Sequence, residues 1–78
     1  LESAHIYPRE LIKRILHFNA ASVILAHNHP SGIAEPSQDD IHSTKKIKNA
    51  LELVHVKLLD HIIVGNNSFF SFMEKGLI

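Results

Sequence analysis

Apolar residues recur at helical spacing in two stretches of the chain and crowd together in two others. Leu11, Ile12, Ile15, Leu16 and Phe18 fall along one side of a helix. Tyr7-Pro8-Arg9-Glu10 reads as its start, because Pro8 suits a first-turn position whose N–H lacks a partner anyway. Asn19 is a fitting stop. Ala21 to Ala26 is short, almost wholly apolar and partly β-branched, which predicts a strand buried on both faces of a sheet. His29 to Pro36 holds two prolines and a glycine, which predicts a loop. Ser37 is a fitting N-cap with Asp40 three residues on, the pattern of a capping box. Ile41, Ile47, Ala50, Leu51 and Val54 mark the buried side of that second helix. Val56 to Val64 reads as a second strand, interrupted by the polar pair Asp60-His61. Gly65-Asn66-Asn67-Ser68 is a turn, Ser68 to Phe72 the strand that closes a hairpin, and Met73 to Ile78 a short tail.

Helix, strand, helix, strand, strand predicts an α/β fold, a mixed sheet with flanking helices. So few strands leave an incomplete sheet with at least one exposed edge. Further N-terminal strands would complete it, or a homodimer through that edge. The chain opens at Leu1 and not at Met. The expectation is one domain over residues 1–78, the C-terminal portion of a larger unit.

Composition narrows the function. A chain of 78 residues buries only about 60% of its unfolded surface, so its stability is marginal without the help that a metal, a partner or more sequence could give. No cysteine is present to form disulfides. Lys+Arg and Asp+Glu are both 8, which argues against a strongly basic grip on DNA. No apolar run approaches the ~20 residues that span a bilayer, and no leader pattern is visible, so the expected location is the cytoplasm.

Seven histidines stand out, and two of them are placed for chemistry. His27-Asn28-His29 puts imidazoles at i and i+2, on one face of a strand end. Asp40 opens the next helix after a proline-stiffened loop, where its carboxylate can meet them. Two nitrogens and one oxygen suit Zn²⁺ and leave a fourth position for water. Ser37 caps the helix that presents Asp40, and its hydroxyl is also a candidate donor to a developing oxyanion. The plainer reading, a polar loop that happens to carry histidines, fits the spacing and flanks less well. For Ser37 the plainer reading is capping alone.

His27-x-His29-Pro30, then Ser37-x-x-Asp40, resembles the JAMM (MPN+) metalloprotease motif. The form His-Asn-His-Pro-Ser-Gly followed by Pro-Ser-x-x-Asp is similar to the bacterial RadC branch. Flanks such as Asp60-His61-Ile62-Ile63-Val64-Gly65 and Ser71-Phe72-Met73-Glu74-Lys75-Gly76 carry the resemblance over nearly the whole chain. It implies a JAMM/MPN fold of cytidine-deaminase-like type, with His27, His29 and Asp40 as zinc ligands and Ser37 assisting the tetrahedral intermediate. It also implies hydrolysis of peptide or isopeptide bonds by zinc-activated water, with a peptide or protein as substrate. The family's general base is a glutamate on an earlier strand. The only upstream glutamates, Glu2 and Glu10, do not match it, so the base is expected outside these 78 residues. The alternative is a non-catalytic, DNA-repair-associated binding module with a structural or vestigial zinc.

Asp60-His61 reads equally as a partner that orients a metal ligand, or as a strand kink or a pair facing solvent at a sheet edge. His5, His17, His42 and His55 lack partners at ligand spacing and read as surface or packing residues. Lys45, Lys46 and Lys48 read as a solvated helix face. Phe69, Phe70 and Phe72 read as hairpin packing in preference to base stacking, with Phe70, or Phe69 and its i+2 neighbour, turned to the core. One glycine in His29-Pro30-Ser31-Gly32 is too few for a phosphate cradle.

Overall fold

The computed structural model describes residues 7–78. The expectations for Glu2 and His5 lie outside the described residues. The element order is α1 (Pro8–His17), β1 (Ser22–Asn28), α2 (Gln38–Leu53), β2 (Lys57–Val64) and β3 (Phe69–Ser71). β2 is central, with β1 parallel to it and β3 antiparallel, so the sheet is mixed and the fold α/β. No helix among the described residues is long and apolar enough to cross a membrane.

The helix ends follow the local signals. Pro8 stands in the first turn of α1, and Asn19 takes a left-handed φ of 53° just past its end. His55 does the same after α2, with φ 56°. There the N–H of Val56 reaches back to the Leu51 carbonyl at 2.9 Å and turns the chain into β2.

Both helices contribute to one core. Ile15 of α1 packs with Ile47 and Leu51 of α2 and with Val56 and Leu58 leading into β2. A second cluster joins Ala34, Ile63 and Phe72, with Ile41 of α2 against it. The predicted stripe of α1 is only partly buried: Leu16 and Phe18 face solvent. A helix covers only the width its partner presents, and α2 presents enough for Leu11, Ile12 and Ile15.

β1 departs from the prediction of burial on both faces. Its exposure alternates, with Val23, Leu25 and His27 turned inward and Ile24 left 59% exposed. Both packed clusters draw on α2, so among the described residues only one face of the sheet is covered. Phe72, just beyond β3, is fully buried, Phe70 packs against the core edge-on to Phe72, and Phe69 is exposed.

The β1–β2 register steps between Val23, opposite Leu58, and Ile24, opposite Asp60. Leu59 is thus an extra residue on β2, a β-bulge. Strand side chains alternate with period two, so Leu58 and His61 would otherwise point to opposite faces. The bulge turns His61 to the helix side, where it is 2% exposed.

Candidate metal centre

Three side chains converge where β1 ends and α2 begins. His27 and His29 share the inward face of the strand end, as the i, i+2 spacing predicts, with ring centroids 4.9 Å apart. Asp40 is the third residue of α2. Its Oδ2 accepts the backbone N–H of Ser37 at 2.9 Å, and the Ser37 hydroxyl accepts the N–H of Asp40 at 3.0 Å. The capping box is therefore complete, and it fixes the rotamer of the carboxylate it borrows. The same Oδ2 lies 3.0 Å from His29 Nε2, while Oδ1 lies 3.9 Å from His27 Nε2.

The loop between the histidines and α2 is held from below. Gly32 has φ 80°, a left-handed value that glycine adopts without cost, and its carbonyl accepts the N–H of Asn66 at 2.9 Å. A Cβ at Gly65 would come within 2.5 Å of the Gly32 carbonyl oxygen. The β2–β3 turn and the ligand loop can approach this closely only because both positions are glycine. The His29 N–H also reaches the Val64 carbonyl at 3.2 Å, extending the ladder one residue past β1.

His27 is the decisive residue. Its Nδ1 is 2.9 Å from Nε2 of His61, whereas its own Nε2 is buried with no hydrogen-bond partner. An unpaired buried nitrogen is costly, and this one, facing a second imidazole and a carboxylate, is fitted to ligate a metal ion. The ligating atoms of His27, His29 and Asp40 all lie within 4.8 Å of one another. Two imidazole nitrogens and a carboxylate oxygen fit a borderline divalent ion.

The electrostatics agree. Burial lowers the pKa of His27, with Asp40 opposing and His29 adding to the effect, so the ring is neutral as a ligand must be. Burial alone would raise Asp40, but hydrogen bonds from Ser37 and the neighbouring His27 and His29 hold its carboxyl below the usual range. His61 is pushed down to about 4, by burial first and by His27 second.

The structure separates Asp60 from His61, and neither stands at a sheet edge. His61 is buried against His27, stacked on Phe72 at 4.8 Å, and its Nδ1 lies 2.7 Å from the Thr44 hydroxyl. Asp60 is structural: it accepts from the Ser71 hydroxyl at 2.6 Å and from the N–H groups of His61 and Met73 at 2.7 and 3.0 Å. Thr44 carried no signal in the sequence beyond its place one turn after Asp40. Ser37 is exposed beside Asp40, and His17, His42, His55, Lys45 and Lys46 are exposed away from any ligand set.

The profile of the RadC-like JAB domain matches residues 1–77. The chain belongs to the RadC-like JAB domain family. It is 60% identical to a UPF0758 protein of Marinomonas sp. (strain MWYL1), 58% to one of Nitrosomonas eutropha and 55% to one of Vibrio cholerae, each over all 78 residues. It spans 35% of the length of each of these relatives. In this RadC-like domain His27, His29 and Asp40 form a cluster that could hold a metal ion, with Ser37 capping the helix that carries Asp40.

Proposed function

We propose that this RadC-like JAB domain is a zinc-dependent hydrolase domain acting on peptide or isopeptide bonds. The observation that carries the reading is the buried, unpartnered Nε2 of His27, facing His29 and Asp40. His27, His29 and Asp40 would hold the ion. A bound zinc supplies Lewis acidity, lowering the pKa of a coordinated water towards ~7 and polarising a carbonyl. Asp40 stays ionised under its hydrogen bonds from Ser37 and keeps its charge at the site. Ser37, on the exposed rim beside Asp40, donates its hydroxyl to the oxyanion of the substrate carbonyl. The resemblance implies a glutamate base on an earlier strand, and Glu10, exposed on α1 and 3.6 Å from Lys13, does not take that place.

Three protein ligands favour a catalytic over a structural site, because structural zinc is closed by a fourth residue. The further imidazole that touches this cluster among the described residues is His61, and both of its ring nitrogens are already engaged, by His27 and Thr44. The test is zinc content by elemental analysis, on the native protein and on a His27→Ala/His29→Ala variant. About one zinc per chain, with near none in the variant, is expected. A native protein that takes up no zinc after refolding with the metal would overturn the reading and favour the non-catalytic binding module.

A further inference from the structure

The hydrogen bonds behind His27 run in one direction only, and a backbone carbonyl sets it. Thr44 Oγ1 lies 2.6 Å from the carbonyl oxygen of Asp40. A carbonyl can only accept, so the hydroxyl gives its single proton there. Thr44 Oγ1 must then accept at its other contact, 2.7 Å from His61 Nδ1, which therefore carries hydrogen. A neutral imidazole has one ring proton, so His61 Nε2 is bare and accepts from His27 Nδ1 at 2.9 Å. With its proton on Nδ1, His27 is left with a lone pair on Nε2, the atom that faces His29 and Asp40.

The other arrangements are worse. A proton on His27 Nε2 would be buried without an acceptor and would require His61 to donate from Nε2. His61 would then either oppose a lone pair to the Thr44 oxygen or carry two protons. The second option buries a cation whose ring nitrogens meet no carboxylate among the described residues, on a ring stacked against Phe72 and 2% exposed.

We propose that Thr44 and His61 are positioning residues that lock His27 in its Nδ1–H tautomer and so aim its Nε2 lone pair at the metal. The proposal rests on the metal-site reading above. It ties the ligands of two elements together: the Asp40 side chain stands at the site, and the Asp40 backbone carbonyl sets the tautomer of the ligand on β1. The bulge at Leu59 is what brings His61 into this line. Supporting partners of metal-bound histidines typically change metal affinity 10–100-fold when removed.

Two measurements test it. In the metal-free protein, ¹⁵N–¹H correlation spectra of the imidazoles should place the proton on Nδ1 of both His27 and His61. Zinc affinity, read by competition with a chelator, should fall about 10–100-fold in Thr44→Val, which keeps the volume and removes the hydroxyl. Thr44→Ser should restore both the affinity and the tautomer signature. A proton on His27 Nε2 in the native protein, or native-like zinc affinity in a folded Thr44→Val, overturns the proposal. The spectra of the native protein decide the tautomer even where Thr44→Val does not fold. The two readings fail separately: the expected tautomers without zinc uptake would uphold the lock and remove the metal, whereas zinc uptake with the wrong tautomer would do the reverse.

Discussion

Asp40 Oδ2 sits 2.9 Å from the Ser37 N–H and 3.0 Å from His29 Nε2, so one oxygen closes a helix cap and faces the candidate metal centre. The cap that starts α2 thereby also orients the carboxylate at the site.

The double duty of Ser37 can be separated by choice of replacement. Ser37→Ala should cost about 1 kcal/mol of stability through loss of the cap. Ser37→Asp caps nearly as well, so it should stay within a few tenths of a kcal/mol of native while leaving no side-chain donor. If Ser37 serves the oxyanion, Asp lowers turnover about 10²-fold with zinc content unchanged. Full activity in Ser37→Asp would reduce the residue to a cap.

Stability should depend on pH through His61. Its pKa in the fold is about 4, while an unfolded histidine titrates near ~6.5. Between these values the unfolded chain binds a proton that the folded chain refuses, so stability falls as pH drops through this window. The steepest slope is about 1.4 kcal/mol per pH unit for one proton. His27, also lowered by burial, acts with the same sign. Asp40 and Asp60 are both held low, so their contribution is present above ~3.9 and is lost only as pH falls further. Denaturant unfolding with a chelator present should show the histidine slope, and His61→Phe should flatten it. A native curve level from pH 7 to pH 4.5 would contradict the neutral, buried His61.

The glycine contact beneath the ligand loop gives a third expectation. Gly65→Ala forces a Cβ to within 2.5 Å of the Gly32 carbonyl oxygen and 2.9 Å of the Ala34 nitrogen, both backbone atoms that cannot swing away. It should lower stability by about 1–3 kcal/mol and weaken zinc binding as the loop shifts. At Gly76 a Cβ would meet nothing within 4 Å, and the cost of alanine comes only from its φ of 71°. Gly76→Ala should therefore leave zinc affinity unchanged, which isothermal titration of the two variants would check.

Asp60 should behave as a structural residue. Asp60→Ala leaves the Ser71 hydroxyl and the Met73 N–H without their acceptor, at a cost of about 1–3 kcal/mol. The loss should appear as a lower melting temperature in metal-free protein, with about one zinc per folded chain retained. Loss of zinc from a folded Asp60→Ala would place the residue in the metal site after all.

The amino-acid sequence by itself determined the parts of this domain that depend on near neighbours. The i, i+2 histidines share a face because strands alternate, and Ser37 caps Asp40 because a helix start has unpaired N–H groups within reach. Pro8 and Asn19 mark the ends of α1 for equally local reasons. Tertiary structure alone decided the rest. Ile24 reads as buried from its apolar run, yet its exposure depends on what packs over the sheet. His61 and Thr44 lie 17 residues apart and meet only because the bulge at Leu59 reverses the facing of β2. The polar pair Asp60-His61 marked an interruption of the strand, but a bulge is set by the pairing of β2 with β1, which the chain alone does not fix. The candidate metal ligands were therefore visible in the chain, while the residues hydrogen-bonded behind them came together only once the strands were paired.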